Sequence, residues 1–135
     1  MNTAKPFARS LCAIANSLDI LGDKWSLLVV RDLLHGKSTY SELALSPEGI
    51  PTNILADRLK RLESAGIVGS VPYQERPVRY RYSLTPKGNA LGEVLLALVR
   101  WGKQHIPGTV ALNRGSASGG GASTTTRRRR AKRAG

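Results

Sequence analysis

The chain has 135 residues, with 21 Lys and Arg against 9 Asp and Glu, for a formal net charge of +12. That length is one domain's worth, and the single cysteine, Cys12, excludes an intramolecular disulfide scaffold and fits a reducing compartment. The basic excess points to a polyanionic partner, nucleic acid ahead of an anionic membrane.

The N-terminal residues lack the uninterrupted apolar core of a signal peptide. The longest apolar run, "VLLALV" (Val94 to Val99), is far below the ~20 residues that span a bilayer. The expectation is a soluble cytoplasmic protein with no membrane partner.

After an N-terminal arm (1–10), Leu11, Ile14, Leu18 and Leu21 recur at helical spacing and predict a first helix ending at Gly22. Asp23 suits the N-cap of a second helix that buries Trp25, Leu28, Val29 and Leu33 and stops at Gly36. Ser38 or Thr39 caps a short third helix with Tyr40, Leu43 and Ala44. "SPEGIP" then makes a turn, because Pro47 and Pro51 cannot donate and Gly49 permits positive φ. A fourth helix follows over about Thr52 to Ala65, with Gly66 beyond its end.

Past Gly66 the hydrophobic period changes. "IVGSVPY" is extended, and "RYRYSL" alternates, with Tyr80, Tyr82 and Leu84 on one face and Arg79, Arg81 and Ser83 on the other. This predicts a hairpin over 67–84 with the polar tip "QERPV". Thr85 then caps, Pro86 sits at the first helical position, and one long helix runs to about His105. From Pro107 to Gly135 the chain is Gly-, Ser- and Thr-rich and ends in basic residues, the composition of a disordered tail (107–135). Seven basic residues and no acid fall in 114–135, which leaves +5 for the first 113 residues.

The order of elements is that of a winged helix-turn-helix: mainly α with a small β-hairpin, over 11–106. On the fourth helix Leu55, Leu59 and Leu62 form the core stripe, with Asn53, Asp57, Lys60 and Ser64 opposite, Ala56 beside them, Arg61 on the flank and Arg58 near the core edge. A slim polar face of this kind fits the major groove. Asn pairs there with adenine and Lys with guanine, while Thr52 and the helix start meet phosphate. Ser38 and Thr39, where the third helix starts, are counted with these DNA contacts. From the hairpin, Arg76, Arg79 and Arg81 reach the backbone or an adjacent minor groove. Against this, a polar face is the ordinary state of any surface helix, and Asp57 opposes phosphate unless Lys60 or Arg61 screens it.

"CAIANSLDILGDKWSLLVVRDLLHGKSTYSEL", "GIPTNILADRLKRLESAGIV" and "YQERPVRYRYSLTPKGNAL" together resemble the HxlR-type winged helix regulators of bacteria. The matching residues include Gly22, Lys24, Trp25, Arg31, Asp32, Leu33, Glu42 and Leu43, with Tyr40 where the family has Phe. The resemblance spans about Leu11 to His105. It departs at Ala13, usually Pro, and at the wing tip Glu75 to Val78. It implies a cytoplasmic homodimeric transcriptional regulator on a palindromic double-stranded DNA operator, with dimerisation through the first and last helices.

The residues support that interface independently. Leu11, Ile14 and Leu18 line the first helix. Leu91, Val94, Leu95, Leu98 and Trp101 form one broad stripe on the last, and Leu96 and Val99 lie on another side. So much apolar surface on one helix exceeds what a small core covers.

The resemblance also makes Cys12 a candidate sensor, since some family members use a cysteine here to sense electrophiles or oxidants across the dimer. Its place at a helix start, three residues after Arg9, favours thiol reactivity, whereas many free cysteines are simply small buried apolar groups. A small-molecule effector near Trp25 or Trp101 is a weaker expectation. The two histidines, His35 and His105, make no metal-ligand spacing with one cysteine. No nucleophile elbow, phosphate loop or metal carboxylate pair is present, so neither an enzyme nor a cofactor is expected.

A repressor is the leading reading. The alternatives are a thiol-based redox or electrophile sensor using Cys12 and a sequence-nonspecific architectural DNA-binding protein in which the tail dominates.

Overall fold

A computed structural model of the chain describes residues 9–112. Eight elements follow in order: α1 (Ala13–Leu21), α2 (Ser26–Leu34), α3 (Tyr40–Leu43), α4 (Thr52–Ser64), β1 (Val68–Glu75), β2 (Val78–Leu84), α5 (Pro86–Asn89) and α6 (Gly92–His105). The expected arm up to residue 8 and the tail beyond residue 112 lie outside the described residues.

Burying the narrow apolar stripe of α4 creates the core. Leu55, Leu59 and Leu62 are sealed against Val29, Val30 and Leu33 of α2, Leu43 of α3, and Ile50, Ile67 and Val68. Each fully buried aliphatic side chain contributes roughly 1.5–3 kcal/mol, so this cluster holds the helix-turn-helix together. Trp25 and Leu28, expected inside, are only half-buried: Trp25 packs at the edge of the core, and Leu28 borders an open groove between α2 and α6.

Polar contacts fix what the stripe alone leaves free. Asp23 accepts the N–H groups of Trp25 and Ser26 at 3.0 and 3.1 Å and the Ser26 hydroxyl at 2.5 Å, which caps α2. The same carboxylate accepts Arg58 Nε at 2.8 Å, tying the start of α2 to the middle of α4. Burial opposes ionisation of Asp23, but the bonds from Ser26, Arg58 and the Trp25 N–H outweigh it and hold the carboxyl below the usual carboxylate range.

In the turn before α4, Arg31 of α2 donates to both oxygens of Glu48, each at 2.7 Å. Its Nε and Nη2 also reach the buried Asp32. The Arg31 bonds pull the Glu48 carboxyl down from 4.5 to about 2 against the opposing effect of its own burial, with help from the Ser46 hydroxyl.

β1 and β2 pair antiparallel from Val68 with Leu84 out to Glu75 with Val78, with an irregularity between Pro72 and Gln74. Ser38 and Thr39 extend this sheet on the β2 side: the Tyr82 N–H donates to the Ser38 carbonyl at 2.7 Å, and Thr39 bridges Arg81. Of the face expected to be half-buried, only Tyr82 and Leu84 at the base reach the core. Tyr80 is exposed, since the hairpin runs out beyond the helices that could cover it.

The single long last helix expected from Pro86 is divided. α5 is a short turn and α6 begins afresh at Gly92, with the Leu91 N–H bonded back to Gly88 across a tight turn. The cause is Gly88. Thr85 caps it, donating to the Gly66 carbonyl at 2.6 Å while accepting the Gly88 N–H at 3.1 Å, and this presses Gly88 against the strand. A Cβ there would lie 2.2 Å from the Ile67 carbonyl oxygen. With glycine at both ends of the junction, helix propagation is weak.

Of the tail expected from residue 107, only 107–112 are among the described residues. Pro107 and Gly108 turn the chain, and the Thr109 hydroxyl lies 3.0 and 2.8 Å from the Gly102 and Ile106 carbonyls, fixing the return past the end of α6. Among the described residues no helix is long and apolar enough to cross a membrane.

Two measurements check these contacts. Gly88→Ala should destabilise the fold by about 1–3 kcal/mol, because the backbone must shift to admit a methyl group; equilibrium denaturation reads the loss. The depressed carboxyls make the second test one of pH. The stability they contribute is complete above about 4.5, the ordinary Glu48 value, and is lost as pH falls towards 2. Glu48→Gln should therefore lower the melting temperature at pH 6 and converge on the parent near pH 2, as followed by circular dichroism.

Candidate nucleic-acid interface

The candidate surface starts at the α3–α4 turn. Gly49 takes φ +74°, the left-handed conformation that glycine adopts without cost, and turns the chain into Ile50 and Pro51. Pro51 caps α4, so the first N–H groups of the helix carry no side-chain cap and face outward. The Tyr40 hydroxyl donates to the Thr52 carbonyl at 2.6 Å, pinning this end of α4 to α3. A phenylalanine at position 40 would lack that bond.

From this start Thr52, Asn53, Ala56, Asp57, Lys60 and Arg61 are all exposed along one side of α4. Asn53 makes no side-chain hydrogen bond and Lys60 no ion pair among the described residues. Asp57 is screened by Arg61 at 3.8 Å, one of the two residues that the spacing offered, and Arg58 also bonds it directly, while Lys60 takes no part. The acidic residue on this face is therefore screened by its own helix, and Lys60 stays uncommitted.

Ser38 and Thr39 are placed differently from the residues of α4. Thr39 and Glu42 form a reciprocal capping box: the Thr39 hydroxyl accepts the Glu42 N–H at 3.2 Å, and Glu42 Oε1 accepts the Ser38 and Thr39 N–H groups at 2.8 and 3.1 Å. Those two N–H donors hold the Glu42 carboxyl below its ordinary range. Backbone donors that a phosphate would seek at the start of α3 are thus already occupied, and the Ser38 hydroxyl has Arg81 Nη1 at 3.4 Å.

On the hairpin, Arg76 and Arg79 are exposed and have no ion pair among the described residues. The tip is closed by Gln74 Nε2 donating to the Pro77 carbonyl at 3.1 Å. Arg81 is held instead, its guanidinium 4.7 Å from the centre of the Tyr73 ring and beside Ser38. Tyr73 was absent from the candidate residues. It sits at the strand irregularity, two residues beyond Val71, the partner of Arg81.

The remaining candidates fall outside this surface. Cys12 is exposed at the N-cap of α1, its N–H donating to Ser10 Oγ at 2.8 Å. Leu11, Ile14 and Leu18 are exposed, and no residue of α1 is buried. On α6, Val94, Leu98 and Trp101 are exposed at 41%, 50% and 58%, whereas Leu91 and Leu95 turn inward against the core. Trp101 stacks on His105 with centroids 5.0 Å apart. No group of three or more potential metal ligands occurs among the described residues.

Comparison with known proteins agrees with this architecture. The HxlR-like helix-turn-helix family model matches residues 20–109. The HTH-type transcriptional regulator YvaP of Bacillus subtilis is 38% identical over 90 residues, 67% of this chain and 83% of YvaP. The HTH-type regulator Rv3095 of Mycobacterium tuberculosis is 33% identical over 95 residues; the match takes in 70% of this chain and only 60% of that longer relative.

Among solved structures, PA1607 is 37% identical with a TM-score of 0.67, covering 76% of this chain and 72% of its own. The reduced form of the transcriptional regulator YodB from B. subtilis is 32% identical with a TM-score of 0.61, covering 72% and 96%. The redox regulator HypR in its reduced form is 28% identical with a TM-score of 0.65, covering 71% and 95%. A family match over two thirds of the chain, on a helix-turn-helix followed by a two-stranded wing, makes this protein a member of the HxlR-type winged helix-turn-helix transcriptional regulators.

Proposed function

We propose that the protein is a homodimeric repressor that reads a palindromic operator, with α4 in the major groove and the β1–β2 hairpin as a wing on the backbone. The observation that carries this is the pair of uncommitted side chains, Asn53 and Lys60, on a helix anchored by Tyr40, Arg58 and its core stripe. Asn and Lys supply base-edge contacts. The open N–H groups at the start of α4 and the free Arg76 and Arg79 supply phosphate contacts. Repression follows by occlusion, a dimer of this size covering promoter sequence simply by occupying it.

Two heads related by a twofold meet half-sites about 34–36 Å apart. The exposed Leu11, Ile14 and Leu18 of α1 and Val94, Leu98 and Trp101 of α6 are the surfaces that a second copy covers.

The division of labour sets the test. Asn53→Ala and Lys60→Ala should each weaken operator binding by ~1–3 kcal/mol and relax preference at one base position. Arg76→Ala and Arg79→Ala should weaken operator and random DNA alike. Unchanged operator affinity in both α4 variants overturns the assignment of α4 as reader. Equal affinity for operator and random DNA in the parent favours the architectural alternative.

Cys12 supports a second, compatible reading: regulation by oxidation. It is exposed at the start of the helix assigned to dimerisation, and the structural relatives include HypR, named a redox regulator, and a diamide-treated form of YodB. In this reading two Cys12 thiols, one from each copy, lose two electrons and two protons to an oxidant such as diamide, which becomes the hydrazine as the intermolecular disulfide forms. Sedimentation equilibrium should show a dimer at micromolar concentration, and diamide should convert it to a covalent dimer that Cys12→Ser cannot form. A monomer at that concentration sinks the dimer, and a parent that stays uncrosslinked sinks the disulfide.

A further inference from the structure

α6 has two apolar sides, and Leu98 of the proposed dimer surface belongs to both. Val94 and Trp101 face outward, while Leu95, Leu96, Leu98 and Val99 line a groove of about 690 Å³ against α2. The opposite wall is Leu27, Leu28 and Leu34 of α2, and the returning chain at 109–112 closes one side. The volume falls in the range of small-molecule sites, and so does the lining, predominantly apolar with a few polar groups.

The charges in that lining are unequal in availability. Glu48 is already gripped by Arg31 through two bonds of 2.7 Å. Lys103, on the α6 wall, has no ion pair among the described residues. The groove therefore presents an apolar trough with an unneutralised cation, which complements a ligand having an apolar body and one negative charge.

Arg31 gives the groove a route to the reading helix. Its guanidinium lines the groove and also holds Glu48, two residues before the buried Ile50 and four before α4 begins at Thr52.

We propose that the groove between α2 and α6 binds a small amphipathic anion, drawn by Lys103 and Arg31, and that its anionic group competes with Glu48 for Arg31 and so loosens the turn that positions α4. The binding site stands on the groove alone; its effect on DNA rests on the reading of α4 given above. A ligand shifts that equilibrium only by its differential affinity for the two arrangements of the turn. The competition supplies the difference, since the bound anion and the Glu48 carboxylate need the same guanidinium.

The test uses the full chain and two fluorescent probes of the same shape, the anionic 8-anilinonaphthalene-1-sulfonate and the uncharged N-phenyl-1-naphthylamine. The sulfonate should bind saturably, one per chain, more tightly than the neutral probe. Lys103→Gln, a surface change that keeps the fold, should weaken the sulfonate about threefold and leave the neutral probe unaffected. Val99→Trp, which fills the groove, should abolish both. The sulfonate should also lower operator affinity in the parent but not in Glu48→Gln, which still binds the probe.

Sulfonate binding that Lys103→Gln leaves unchanged overturns the anion site. Probe binding that vanishes as the protein dimerises assigns the groove to a second copy instead. Saturable binding with no change in operator affinity overturns the coupling to α4. Because probe binding is measured without DNA, failure of the site and failure of the DNA-binding reading are separate results.

Discussion

The setting of α4 depends on one carboxylate. Asp23 closes the start of α2 and holds Arg58 of α4, so one side chain sets the relation between the two helices that make the core. Without it, the three leucines of α4 would still be buried, but a stripe of that width tolerates rotation about the helix axis. Rotation would turn Asn53 and Lys60 away from a common surface. Hydrophobic burial supplies the energy of association here, and the directional bonds select one orientation. The Tyr40 hydroxyl at the first turn and the Arg31–Glu48 pair in the preceding turn act in the same sense at other points along the chain. The cation that performs the clamping also screens Asp57, and this removes the main electrostatic objection to α4 as a DNA reader.

Much of this architecture is legible in the sequence, because it is written in local periodicity. The leucine stripe of α4, the change to alternation after Gly66, and the glycines at 49 and 66 mark elements and boundaries that the structure reproduces to within a few residues. The residues that depend on distant neighbours were not legible. Arg58 finds Asp23 from 35 positions away, and nothing near either residue announces the pairing. Tyr73 reaches Arg81 across the hairpin, a pairing that needs the strand register and not the pattern of either strand alone. Thr39 caps α3 as the sequence suggests, but Glu42 takes up the N–H groups of Ser38 and Thr39, the residues also counted with the DNA contacts.

The end of the domain teaches a related lesson. Thr85, Pro86 and the apolar pattern beyond them read as one helix, although Gly88 and Gly92 weaken its propensity. What divides it is a contact with the other side of the hairpin, where Gly88 meets the Ile67 carbonyl too closely for any side chain. The surplus apolar residues of α6 were visible as surplus. The helical pattern already sets Leu96 and Val99 apart from Trp101; that they border a groove against α2 is a property of the fold.

The wing has one more consequence, for how the protein behaves when crowded. β2 is flanked by β1 on one side and by Ser38 and Thr39 on the other, but among the described residues β1 has no further neighbour, so its outer rim is an open strand edge. Such rims recruit strands from other molecules and seed stacking into fibres. Pro72 interrupts this one in mid-strand by withholding a donor, and the slip beside it twists the rim out of line just where a second strand would have to lie flat. The wing can thus stay extended in a crowded solution without zipping edge to edge with other copies.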